Sequence, residues 1–231
     1  MRSNVSDLKL CVFDCDGTLV DSQHTIIRCM TETACHYYLP KPARENVRAV
    51  IGLSLEEAMM QVFQLTEWEE ASAFAETYKR IFRTYRADET VQEPLYDGIE
   101  KLLSDLSNAG WLLGVATGKA WRGLEATLSG HGLMEHFVTF QTADRAMGKP
   151  HPDMLERAMA ECGVAAKATV MIGDTTFDME MSENAGTLAL GVDWGYHETH
   201  DLLAAGAETV VSTTDQISAF LEERFSGEDR F

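Results

Sequence analysis

No apolar run in the 231-residue chain approaches the roughly 18 residues that a membrane-spanning helix needs. The early apolar stretch Leu10 to Phe13 is too short for a secretory core and runs straight into charged residues. Cysteines are few and unpaired in pattern: Cys11, Cys15, Cys29, Cys35 and Cys162 are odd in number and contain no Cys-x-x-Cys. That excludes a disulfide framework and a zinc site, and it favours a reduced, cytoplasmic setting. Cys15 lies between two aspartates, whose charge keeps a thiol protonated, so it reads as a packing residue and not a nucleophile. Positive charge is also scarce. Nineteen basic against 37 acidic side chains give a net charge of −18, so the surface repels nucleic acid and anionic lipid, and neither is expected as a partner. Internal repeats and low-complexity linkers are missing too. What remains is a composition 45% hydrophobic and 9% aromatic, that of a folded chain with a sizeable core. The length suits one large domain, or one domain carrying a smaller insert.

The pattern along the chain divides in two. Leu8 to Phe13 is a β-favouring run that breaks abruptly at Asp14-Cys-Asp-Gly17. From Ser22 to about Arg86 helical spacing dominates, with breaks near Leu39-Pro-Lys-Pro42, Gly52 and Thr66. Ser54-Leu-Glu-Glu57 has the form of a capping box. After Pro94 strands and helices alternate. Helices are expected over Gly98–Ala109, from Trp121, over Pro152–Cys162, Phe177–Ala185 and Asp215–Phe225. Strands are expected over Trp111–Ala116, Phe137–Phe140, Ala168–Ile172 and Thr187–Val192. This alternation predicts an α/β fold, a doubly wound parallel sheet covered on both faces. The helical stretch interrupts it after the first strand, beside the crevice where such sheets bind ligands, and is placed to act as a lid.

Four segments carry chemistry, each at the carboxyl end of an expected strand. Asp14 and Asp16 are two apart, so in extended chain their carboxylates leave the same side, and Gly17 permits a tight turn. Thr117-Gly118 precedes a helix, where a hydroxyl and free N–H groups suit a phosphate. Lys149 lies between Gly148 and the stiff Pro150-His-Pro152. Gly173-Asp174 ends a strand, with Asp178 one helical turn on. Each alone reads as an ordinary turn or helix cap. Parallel strands put their carboxyl ends on one edge, however, so the acids should converge. Two carboxylates about 4 Å apart repel by about 4 kcal/mol at an effective dielectric of about 20. The set therefore calls for a hard divalent cation, with Lys149 adding a fixed positive charge.

In this order and context the motifs resemble the haloacid dehalogenase-like (HAD) hydrolase superfamily, in the helical-cap branch that includes phosphoglycolate phosphatases and β-phosphoglucomutases. The resemblance covers nearly the whole chain. It implies a Rossmann-like catalytic core over residues 1–16 and 88–231 and an inserted all-helical cap over 17–87. It further implies a phosphatase that acts on a small phosphomonoester, such as phosphoglycolate or a sugar phosphate, through an aspartyl-phosphate. Asp14 is then the nucleophile, and Asp16 the acid for the leaving alcohol and afterwards the base for water. Thr117 and the Gly118 amide hold the phosphoryl oxygens, and Lys149 bridges them to Asp14. Mg2+ is held by Asp14, the Asp16 carbonyl and Asp174, with Asp178 behind them. Phosphoryl transfer needs mostly positioning and charge neutralisation, which such a set supplies. With the molecule so acidic, an anionic substrate must be attracted locally, by Mg2+, Lys149 and nearby cap cations.

Rival readings share parts of this pattern. A phosphosugar mutase usually carries a basic residue in the cap loop Gly52–Ala58, where this chain has Leu55. A 2-haloacid dehalogenase typically lacks the acid at position 16. A phospho-accepting receiver domain is about half this length and has no cap. Lys119 reads as the partner of an acidic neighbour, His151 as a loop residue, Arg44 and Arg48 as solvated helix positions, and Met59, Met60 and Trp68 as core.

Overall fold

The computed structural model describes residues 8–225. Six strands form one sheet: β1 (Leu10–Phe13), β2 (Leu112–Thr117), β3 (Thr139–Thr142), β4 (Thr169–Gly173), β5 (Leu188–Val192) and β6 (Thr209–Val211). All pair in parallel, in the order β3-β2-β1-β4-β5-β6, which is the order of doubly wound dinucleotide-binding folds. A strand buried on both faces must be apolar at every position, and β1 reads Leu-Cys-Val-Phe with no exposed residue. Its alternate side chains serve opposite layers. Cys11 and Phe13 pack with α5 (Ile99–Asn108), α6 (Trp121–Gly130) and α10 (Thr214–Phe225). Leu10 and Val12 pack with α7 (Asp153–Cys162) and α8 (Thr176–Ala185).

Between β1 and α5 the chain forms four helices, α1 (Gln23–His36), α2 (Arg44–Arg48), α3 (Leu55–Phe63) and α4 (Trp68–Ala87). They share a core of their own, built from residues such as Met30, Val47, Met59, Phe74 and Tyr78, with Tyr37 stacked on Phe74 at 3.7 Å. Ser54 closes the expected capping box with Glu57. The outgoing and returning chains run side by side. Asp21 N–H donates to Pro94 O at 2.8 Å, and Tyr96 N–H to Leu19 O at 3.1 Å. Both connections thus leave the sheet at one point, beside the end of β1.

Some expectations shift. The strand expected at Phe137–Phe140 starts two residues later, because Phe137 is spent on the core against Phe13 at 6.5 Å and the ladder begins at Thr139. The short helix α9 (Thr199–Ala204) and β6 lie in a stretch where no element was expected. Met59 is buried, but Trp68 is 54% exposed at the first position of α4, so its assignment to the core is corrected: a helical side chain leans toward the N-terminus, which at the first position carries it past the turn that Ala71 packs. No described helix is long and apolar enough to cross a membrane.

Candidate active site

Strand pairing fixes where the acids meet. Phe13 pairs with Ile172, and Asp14 continues the ladder by donating its N–H to Ile172 O at 2.9 Å. Asp14 and Asp174 therefore emerge side by side from β1 and β4, at the point where the strand order reverses. Asp14, Asp174 and Asp178 are all buried, and each offers an oxygen within 4.8 Å of the others. Gly17 makes this approach possible. Its φ is +94°, and a Cβ there would lie 2.2 Å from Asp174 Oδ2.

Lys149 is completely buried, with Nζ at 2.8 Å from Asp14 Oδ1 and 2.5 Å from Asp178 Oδ1. Burial alone would lower its pKa, but Asp14 and Asp178 outweigh that and hold it above the ordinary lysine range. Asp178 is fully engaged: Oδ2 accepts from the Thr175 N–H at 3.1 Å and hydroxyl at 2.7 Å, capping α8. Asp174 accepts the Thr18 hydroxyl and the Tyr196 N–H, each at 2.9 Å. Asp14 differs, since among the described residues neither of its oxygens has a partner in hydrogen-bond geometry, and its ion pair is with Lys149. Burial pushes the Asp14 carboxyl up to about 7, with Lys149 opposing and Asp178 and Asp16 adding to the rise. Asp174 is also raised, by burial and then by Asp14 and Asp178. An all-oxygen donor set with unmet lone pairs and excess negative charge fits a hard divalent cation such as Mg2+.

The other expected residues line a neighbouring cavity. A space of about 900 Å3 opens between the carboxyl edge of the sheet with α6 and the helices α1, α3 and α4, with Asp14, Asp16, Thr117, Gly118 and Lys119 on its sheet side. Asp16 turns away from the three-acid cluster. Its Oδ1 meets Lys119 Nζ at 2.8 Å and accepts the Ser22 hydroxyl. Thr117 ends β2 and accepts the Lys119 N–H at 3.2 Å. Gly118 lies against the loop before α3, where a Cβ would be 2.3 Å from Leu53 O.

Sequence reasoning missed two residues here. Glu93, in the returning connection, binds Lys119 at 3.0 Å, Arg86 at 2.9 Å and the Thr127 hydroxyl at 2.9 Å. Burial works against its charge, but Lys119 and its other donors prevail and hold the carboxyl down at about 2. Tyr196 supports Asp174 through its N–H, and its hydroxyl accepts the Ser22 N–H at 3.2 Å. Neither residue carries a local signal, because most partners are distant in sequence: Lys119 and Thr127 for Glu93, Ser22 and Asp174 for Tyr196. Lys119 pairs with acids as expected. His151 stays exposed in its loop and accepts the Asp153 N–H. Arg48 departs from the solvated reading, as it donates to Gly195 O at 3.2 Å and Tyr196 O at 3.4 Å. Cys15 is buried, and burial and then Asp16 push its thiol well up.

A family model described as haloacid dehalogenase-like hydrolase matches residues 11–192. Among curated relatives, "Probable phosphatase IndB" of Dickeya dadantii is 37% identical over 212 residues, covering 90% of this chain and 91% of its own. "Pyrophosphatase PpaX" of Bacillus mycoides is 32% identical over 186 residues, covering 79% and 82%. The crystal structure of a "predicted phosphatase" from Clostridium acetobutylicum is similar with a TM-score of 0.85 at 25% identity, covering 94% of this chain and 100% of that one.

Proposed function

Because the chain belongs to the haloacid dehalogenase-like hydrolase family, we propose that it is a cytoplasmic, Mg2+-dependent phosphatase of organic phosphomonoesters. The observation that carries this reading is Asp14, a buried carboxylate without a hydrogen-bond partner, held by Lys149 beside Asp174. Such a group is free to attack, and a fixed cation sits next to it. The Dickeya relative is named a probable phosphatase and the Bacillus relative a pyrophosphatase, both of which hydrolyse a bond to phosphorus.

Asp14, the Asp16 carbonyl and Asp174 would hold Mg2+, with Asp178 behind them. Bound there, the ion supplies positive charge against the carboxylate and the phosphoryl oxygens. An oxygen of Asp14 attacks phosphorus, and the bond from phosphorus to the alcohol oxygen breaks. Asp16 gives its proton to that leaving oxygen, and Asp14 is left as an aspartyl-phosphate. Asp16 then takes a proton from the water that attacks phosphorus, and phosphate departs from a restored Asp14. Thr117 and the Gly118 N–H hold the phosphoryl oxygens, while Lys149 neutralises their charge. Lys119 and Ser22 fix the Asp16 side chain on the cavity wall. The helical unit expected over residues 17–87 would close over the core of 1–16 and 88–231 and exclude water. Leu55 lines the cavity at the cap-loop position where a mutase usually carries a cation, and the cations of the lining, Lys79, Arg83 and Arg86, stand on α4 instead.

The test is phosphate release from a panel of phosphomonoesters and pyrophosphate, with Mg2+ and with a chelator. Release that requires Mg2+ is expected. No release from any compound, or metal-independent halide release from 2-haloacids, contradicts the reading.

A further inference from the structure

The cavity is chemically lopsided. Its sheet side is polar, and the opposite wall carries an apolar patch, made by Ile26 and Met30 of α1, Leu55 of α3, and Tyr78 and Phe82 of α4, beside the charged Glu56, Lys79, Arg83 and Arg86. The Tyr78 and Phe82 rings lie 6.1 Å apart with planes within 30°, and Lys119 Nζ lies 5.9 Å from the Phe82 centroid. Tyr78 is only 8% exposed, yet its hydroxyl has no hydrogen-bond partner among the described residues. Burial pushes that hydroxyl well above the ordinary tyrosine range.

A two-carbon acid has no apolar surface with which to cover this wall, and about 900 Å3 is the room of a far larger ligand. A sugar would set its hydroxyls against Ile26, Met30, Leu55 and Phe82, and could reach polar lining groups such as Glu56, Lys79 and Arg83 only by leaving that apolar patch uncovered. A flat ring meets both demands: it covers the apolar side chains and lies along the Tyr78 and Phe82 faces. We propose that the substrate is a phosphomonoester whose alcohol carries a planar, largely apolar ring, seated against Tyr78 and Phe82 with one polar edge at the Tyr78 hydroxyl. The proposal rests on the phosphatase reading and narrows it to a substrate class.

The test is kcat/KM of the intact protein with Mg2+ on methyl, benzyl and 2-naphthylmethyl phosphate, whose primary alcohols keep leaving-group chemistry alike. Phosphoglycolate, a hexose phosphate and pyrophosphate serve as the polar competitors. A rise of at least about tenfold from methyl to benzyl phosphate is expected, with all three polar compounds below benzyl phosphate. Phe82→Ala should cut the benzyl-to-methyl ratio by about threefold or more, and Phe82→Leu by less, since it keeps apolar volume. The series on the unaltered protein decides the matter even if a variant fails to fold. A flat series, or any polar compound that outruns benzyl phosphate, overturns the ring proposal and leaves the phosphatase reading standing. No turnover of any compound removes both.

Discussion

Lys149 sits without solvent contact between two carboxylates, 2.8 Å from Asp14 and 2.5 Å from Asp178. Removing one partner of a buried ion pair leaves uncompensated charge and costs about 3–5 kcal/mol. Lys149→Met should therefore lose about that much in denaturant unfolding and lose phosphate release as well; unchanged stability would contradict the geometry. At this scale the sequence announces what lies next to a strand end. Asp14, Asp174 and Asp178 meet because short motifs follow β1 and β4, and pairing of those strands does the rest. Glu93 and Tyr196 were illegible for the opposite reason. Each acts mainly through partners twenty or more residues away, and nothing in Val91-Gln-Glu-Pro94 separates a buried anion from a solvated one. Trp68 misled by type: a large apolar side chain suggests a core, but its place in the first turn of α4 leaves it in solvent.

Between elements, the loop before α3 closes on the end of β2 at Gly118, where an added Cβ would fall 2.3 Å from Leu53 O and 2.8 Å from Gly52 O. Both are backbone atoms and cannot swing aside. Gly118→Ala should displace the loop before α3 from the end of β2 and lower kcat/KM by about tenfold or more through lost positioning. The readout is steady-state kinetics beside a circular dichroism melt, and unchanged kcat/KM would contradict the contact. Most elements were legible because their signals are local: β-branched runs too short for helices, the Ser54 capping box, and glycine at the end of α7 and α8. The helix α9 spans six residues and β6 three, too few for either period to show. The start of β3 was misplaced because hydrophobicity marks burial, and Phe137 is buried before the ladder begins.

For the whole molecule, the acid cluster couples stability to pH and metal. Asp14 is raised to about 7 and Asp174 is raised as well, so the folded protein binds these protons more tightly than the unfolded chain, where aspartate titrates near 4. The resulting stability is present below about pH 4 and is lost as pH rises through about 7. Mg2+ competes with protons for the same oxygens and should raise Tm more at about pH 8 than at about pH 5. An equal or larger gain at the lower pH, by differential scanning fluorimetry, would contradict this. The doubly wound sheet was legible at this scale because strand and helix alternate from Pro94 onward; the shape of the cavity was not, because its two walls come from segments that meet only in the folded chain. The central claim, that Asp14 accepts the phosphoryl group, is tested most directly by rapid quenching during turnover, borohydride reduction and peptide mass analysis. Reduction of an aspartyl-phosphate leaves homoserine in place of the aspartate. Homoserine at position 14 is the expected result; reduction confined to another aspartate, with turnover intact, would contradict it.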